Sequence, residues 1–264
     1  MNSSSSPAIA LRRDGAVLHA TLNRPEMMNA IDEELHDELQ RLFASVAQDE
    51  ATNVLVITGA GRAFSAGGSI EAMQMLIDKP DLFVKEGARG KQLLFSILDC
   101  PKPIIAKVNG AAIGLGATIA LFCDIIIAAQ HAKFADPHVK IGLSAGDGGA
   151  VIWPALLGFA RAKEFLFTGD TLTGEEAARI GLINRAVAAD ELDKVTDDLA
   201  QRLAAGASRA IQWTKLSVNI TLKQLVHSVL DASFAYEALS NRTRDHQEAV
   251  NAFREKRLPR FTGE

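Results

Sequence analysis

Short apolar runs bounded by glycine alternate with stretches of helical periodicity through the first half of the chain. Residues 9–11 and 17–22 are strand-like runs joined across Asp14-Gly15, which predicts a β-hairpin. Asn23-Arg24-Pro25 then breaks the strand. Ile31, Leu35, Leu39, Leu42, Phe43 and Val46 recur at helical spacing, so a helix follows, with Asp32 placed to cap it. Residues 54–58, 104–108 and 125–128 are mainly apolar runs of the kind buried in a largely parallel sheet. A helix over 114–122 separates the last two, and residues 70–98 read as helical with a loop near Lys79-Pro80. Strand, glycine turn, helix, strand predicts an α/β core with crossover connections.

Beyond residue 150 the strand signal fades. Residues 151–157, 160–167, 174–181 and 190–205 carry helical patterns, and Thr173-Gly-Glu-Glu176 has the spacing of a capping box. A last long helix is expected over 221–254. The chain therefore divides into a tail at 1–7, a β/α core at 8–200 and a helical region at 201–264.

With 264 residues, 48% of them hydrophobic, the chain can bury a large core. A net charge of −4 argues against nucleic acid as a partner. Cys100 and Cys123 are the two cysteines, so neither a disulfide framework nor a Cys-x-x-Cys site is present. The longest apolar run, 119–129, is interrupted by Asp124 and is too short to span a membrane. A soluble cytoplasmic protein with no membrane partner is expected. His19, His36, His131, His227 and His246 show no ligand spacing, so no catalytic metal is expected, and Trp153 and Trp213 read as packing residues.

Two glycine-rich turns carry the strongest chemical signal. Gly59-Ala-Gly-Arg-Ala-Phe-Ser-Ala-Gly-Gly68 follows the first buried strand, and Asn109-Gly-Ala-Ala-Ile-Gly114-Leu-Gly116 follows the second. Each leaves backbone N–H groups free at a turn or helix start, where negative charge is stabilised. Facing each other, the two would cradle an oxyanion, which points to chemistry at a carbonyl. The second turn lacks the third small residue of a dinucleotide fingerprint. Gly142-Leu-Ser144-Ala-Gly146 matches the serine-hydrolase pattern, but the residues before Ser144 read as helical where that motif needs a strand.

These motifs together resemble those of the crotonase, or enoyl-CoA hydratase/isomerase, superfamily. The resemblance rests on Asn23-Arg-Pro25, residues 61–68, residues 102–110, Gly114-Leu-Gly116, Cys123-Asp124, residues 168–173, residues 177–183 and the tail at 253–261. It implies a crotonase-like spiral of β-β-α repeats with a helical C-terminal trimerisation region, and a homotrimer or hexamer. It also implies an acyl-CoA thioester as ligand, with coenzyme A belonging to the substrate and no further cofactor. The thioester oxygen would meet the backbone N–H groups of Gly68 and Leu115. Arg24, Ala66, Ser69, Ile70, Gly114 and Thr118 would lie along the CoA and acyl-binding path, with Arg24 and the basic tail near Lys256 where relatives meet the CoA phosphates.

The catalytic side chains depart from the usual pair. Where hydratases of the family carry two glutamates, this chain has Thr118 and His138. Asp136-Pro137 resembles a helix start, which would hold His138 neutral through the helix dipole. Asp147, beside a helix expected near Ala150, is the remaining carboxylate and the expected acid/base group, with His138 assisting. The leading expectation is reversible enoyl-CoA hydration. Double-bond isomerisation and thioester or ring-cleaving hydrolysis are the catalytic alternatives, and a non-catalytic CoA-binding protein is the other.

Overall fold

A computed structural model describes residues 7–264, so the expected tail, apart from Pro7, lies outside the described residues. The chain opens with β1 (Ile9–Asp14) and β2 (Val17–Leu22), paired antiparallel with Asp14 opposite Val17. Gly15 closes the hairpin at φ +57°, a conformation glycine adopts without a Cβ penalty. Helix α1 (Glu33–Gln48) begins at Asp32, whose carboxylate accepts the Leu35 amide at 2.9 Å. Its apolar stripe is buried, as the periodicity predicts.

Next come β3 (Val54–Gly59), β4 (Ala63–Ser65), α2 (Ile70–Asp78), α3 (Leu82–Asp99), β5 (Ile104–Val108), β6 (Ala111–Ile113) and α4 (Leu115–Phe122). They are followed by β7 (Ile125–Ala129), β8 (Lys133–Ala135), a short 3-10 helix at His138–Ile141, α5 (Gly149–Leu157) and α6 (Phe159–Thr168). The chain continues through β9 (Leu172–Thr173), α7 (Gly174–Ile180), β10 (Arg185–Val187), α8 (Leu192–Ala204), α9 (Ser208–Ser240) and α10 (Arg244–Arg254). The capping box at Thr173 and Glu176 forms as expected.

Among the described residues the strands make two sheets. One has six strands in the order β1-β2-β3-β5-β7-β10, and the other has four in the order β4-β6-β8-β9. Apart from the β1–β2 and β8–β9 pairs, all pairings are parallel. Each of the pairs β3/β4, β5/β6 and β7/β8 gives one strand to each sheet, so the chain spirals as the family resemblance implies. The periodicity does not show the second sheet: β4 and β6 fall within the two glycine-rich turns, and β8 and β9 carry no strand pattern of their own. Strands β4, β6 and β8 have three residues each, too few to show a period of two.

That second sheet positions the site. Strands β4, β6 and β8 lie side by side, pairing Ala63 with Ala111 and Ala111 with Lys133. Their C-terminal ends lead into Ala66–Gly68, Gly114–Leu115 and Asp136–His138 respectively. Three segments far apart in sequence thus emerge along one edge.

The C-terminal region corrects a second expectation. The long helix starts at Ser208 and stops at Ser240, and a separate helix α10 starts after Thr243, whose hydroxyl accepts the His246 amide at 3.2 Å. Thr243 offers the backbone an alternative partner, and the helix breaks there. Helix α9 packs against α3 and α5. Trp153 is fully buried as a packing residue, whereas Trp213 is exposed on α9, against expectation.

Candidate active site

The two glycine turns meet backbone to backbone. A Cβ on Gly67, which has φ +80°, would stand 2.6 Å from the Ile113 carbonyl oxygen and 3.5 Å from the Leu115 nitrogen. A Cβ on Gly116 would stand 2.6 Å from the Ser65 carbonyl oxygen. Only glycine permits this approach. The Gly68 and Leu115 amides have no acceptor among the described residues. Leu115 is the first residue of α4, so its N–H is one of the helix's unpaired donors. Both residues line a cavity of about 210 Å³ that also includes Ala66, Ser69, Gly114, His138 and Asp147. Two free donors at such a cavity can hold a carbonyl oxygen as it gains negative charge.

His138 and Asp147 are brought together, and both are buried. The His138 Nε2 atom lies 3.5 Å from an Asp147 carboxylate oxygen, while the Nδ1–H donates to Asp136. Asp147 also accepts from the Thr118 hydroxyl at 3.1 Å and, more weakly, from the Gly149 amide at 3.4 Å. Thr118 thus contacts Asp147 and does not line the cavity itself.

The expectation of a neutral His138 is overturned. The helix it begins is a four-residue 3-10 turn, and Asp136 spends its carboxylate on the imidazole ring instead of capping the turn. Burial opposes the imidazolium, but Asp136, Asp147 and Glu237 around it raise its pKa well above the ordinary histidine value. Asp147 is shifted upward as well. Burial raises its pKa, with His138 working in the opposite direction.

Glu237 completes the cluster and is missing from the sequence reading. It projects from α9 with its carboxylate 3.8 Å from His138 Nε2. Burial first, then Asp147 and Asp136, push its pKa up to about 8 against the pull of His138, so at neutral pH it is mainly protonated. A signal for it exists in the chain. Val226, Leu230, Ser233, Glu237 and Asn241 share the buried stripe at helical spacing, and a glutamate on such a stripe is rarely without purpose.

Several other expected residues have structural partners of their own. Arg24 forms ion pairs with Asp32 and Glu34 and is not part of the cavity wall. Ser69 caps α2 by accepting the Ala72 amide, and Ile70 follows it without lining the cavity. In the basic tail, Arg257 pairs with Glu248 and Glu255. Ser144 is preceded by the 3-10 turn and not by a strand, so no nucleophile elbow forms.

Asp136, His138 and Asp147 offer ligand-capable atoms within 4.8 Å of one another. Their chemistry fits a proton better than a cation. The Nδ1 of His138 is occupied by Asp136, and its Nε2 is surrounded by groups that favour keeping its hydrogen.

Known proteins similar to this chain share its fold. Residues 12–264 match the family model described as enoyl-CoA hydratase/isomerase. A 1,2-epoxyphenylacetyl-CoA isomerase of Escherichia coli is 35% identical, the match covering 94% of this chain and 95% of that protein. A crotonyl-CoA hydratase of Syntrophomonas wolfei is 34% identical, over 96% and 97% respectively. The crystal structure of an enoyl-CoA hydratase/isomerase from Mycobacterium paratuberculosis superimposes with a TM-score of 0.88 at 35% identity, covering 94% of this chain and 99% of that one.

Proposed function

Since the chain belongs to the enoyl-CoA hydratase/isomerase family, we propose that it hydrates an enoyl-CoA thioester with an acid/base set built on Asp147 and His138. The observation that carries this reading is the pair of unbonded amides, Gly68 and Leu115, opening on the same cavity as those two side chains. The amides take the thioester oxygen and hold the enolate that forms when water adds. Asp147 accepts a proton from water as its oxygen bonds to the β-carbon. The His138 Nε2–H gives a proton to the α-carbon, and the proton on Asp147 returns to His138 across the short gap between them. The balance closes with water and protons alone, so coenzyme A enters only as part of the substrate.

Double-bond isomerisation is the second reading, favoured by the presence of one mobile carboxylate, Asp147, beside an imidazole already held by Asp136. In that reaction Asp147 takes a proton from one carbon of the acyl chain and returns it to another. Incubation with crotonyl-CoA and 3-hexenoyl-CoA separates these readings. Loss of the conjugated thioester absorbance without thiol release supports hydration, and gain of absorbance from 3-hexenoyl-CoA supports isomerisation. Thiol release points to hydrolysis. Binding without any turnover overturns the catalytic reading.

Assembly as a homotrimer or hexamer is part of the proposal. Exposed Leu156 on α5 and Val218 on α9 border a second hollow of about 390 Å³, and Trp213 and Ile220 stand exposed on the same helix α9. Light scattering on the purified protein tests it, and a monomer would overturn it. No helix among the described residues is long and apolar enough to cross a membrane. The free thiols Cys100 and Cys123 accord with a cytoplasmic setting.

A further inference from the structure

Glu237 stands beside the groups that exchange protons, yet none of the steps given above uses it. Among the described residues, His138 Nε2, Asp147 Oδ2 and Glu237 Oε1 make no hydrogen bond to the protein. None of these three atoms is sealed from solvent, whereas Glu237 Oε2 is. Nε2 lies 3.5 Å from Oδ2 and 3.8 Å from Oε1, and all three residues line the one cavity. Such gaps are too long for good direct hydrogen bonds. They suit an oxygen atom held about 2.8 Å from each group.

Helix α9 leaves the Glu237 carboxyl little freedom. A Cβ on Gly146 would collide with its Oε2, and the Ser233 hydroxyl on the same helix donates to the Gly146 carbonyl at 3.0 Å. Gly146 directly precedes Asp147, so the same contact fixes the two carboxyl groups relative to each other. Glu237, mainly protonated at neutral pH, has one hydrogen to place. On Oε2 that hydrogen would meet no acceptor, which is costly for a buried O–H. On Oε1 it can be donated to the oxygen shared with Nε2 and Oδ2.

We propose that Glu237 is a further catalytic residue, whose Oε1–H holds the attacking water and, in the reverse direction, donates to the departing β-hydroxyl. The inference rests on the hydration reading given above. A water that accepts from Glu237 and donates to Asp147 keeps a second lone pair free for the β-carbon. As the C–O bond forms, the proton of the water passes to Asp147 and the α-carbon takes the proton of His138. Asp147 then returns its proton to His138, and the Glu237 proton stays where it was.

The test is kcat for hydration of crotonyl-CoA at pH 7, with calorimetric binding of unreactive butanoyl-CoA measured beside it. Glu237→Gln retains a donor and is expected to keep kcat within about threefold. Glu237→Leu has none and is expected to lose about tenfold or more, the range of one hydrogen bond in the transition state, while butanoyl-CoA binds as before. Undiminished kcat in Glu237→Leu overturns the inference, and so does a Gln variant as slow as the Leu one. Loss of butanoyl-CoA binding together with kcat in Glu237→Leu would mark a structural residue and overturn it too. Should the Leu variant fail to fold, the parent and Glu237→Gln are compared at pH 7 and pH 9. The carboxyl, with its pKa pushed up to about 8, loses its hydrogen over that range and the amide does not. Asp136, His138 and Asp147, the titratable groups around it, are common to both proteins. The ratio of parent to variant kcat is expected to fall several-fold, and a constant ratio overturns the inference. A parent that binds butanoyl-CoA without hydrating crotonyl-CoA overturns the hydration reading itself, and this inference with it.

Discussion

His138 Nε2 lies 3.5 Å from the Asp147 carboxylate, with the opposite ring nitrogen fixed by Asp136. The ring is thus held between two carboxylates and keeps its proton. This separates roles that the sequence left merged. In the proposed reaction Asp147 accepts a proton, His138 donates one, and Asp136 orients the ring. Replacing Asp147 with Asn removes the acceptor while preserving shape and the contact with Thr118. A loss of about 10²–10⁴ in kcat is expected, with acyl-CoA binding retained. Near-full turnover by this variant would remove Asp147 from the mechanism.

The Leu115 amide can be deleted without disturbing the helix it begins. Proline is well tolerated at the first helical position, where the N–H has no partner inside the helix. Gly114 before it has φ +52° and ψ −125°, the mirror image of the extended conformation that usually precedes proline and one that glycine can adopt. Leu115→Pro should therefore melt within a few degrees of the parent yet lose about 10²–10³ in kcat. Unchanged kcat in a folded variant would mean that the thioester oxygen sits elsewhere.

The cluster gives stability a definite pH dependence. The Glu237 carboxyl, ordinarily near 4.5, is pushed up to about 8 in the folded protein, chiefly by burial. Between these values the unfolded chain has released a proton that the folded protein keeps, so stability falls as pH rises across that window. His138 acts in the same direction. Its raised pKa gives a contribution that is complete below about 6.5 and is lost as pH rises through the higher folded value. Glu237→Gln should raise the melting temperature more at pH 8 than at pH 5, by about 2–4 °C for each kcal/mol recovered. An equal change at both pH values would show that Glu237 is not a buried acid.

Gly90 on α3 shapes the cavity by what it lacks. A Cβ there would stand 2.6 Å from the tip of the Phe234 ring, and both residues line the cavity. Gly90→Ala is expected to displace the ring and to shift preference toward shorter acyl chains, seen as a KM rise for octenoyl-CoA several-fold greater than for crotonyl-CoA. Equal changes for both substrates would place Phe234 outside the acyl path.

The chain by itself determined a good part of this protein. Apolar periodicity gave α1 and the buried strands β3, β5 and β7, because burial on one or both faces leaves a repeating mark. Local chemistry gave the Asp14-Gly15 turn and the caps at Asp32 and Thr173, because those bonds join near neighbours in sequence. The glycines at 67, 68, 114 and 116 pointed to a carbonyl site before any contact was known. Tertiary structure decided the rest. Strands β4, β6 and β8 are too short to leave a pattern, yet their parallel pairing brings the two glycine turns and Asp136–His138 to one edge. The charge on His138 depends on burial and on Asp136, two residues away, but also on Asp147 and Glu237, nine and ninety-nine residues away, which reach it only through the fold. A pKa depends on burial and on neighbouring charge, and both are properties of three-dimensional proximity rather than of sequence order.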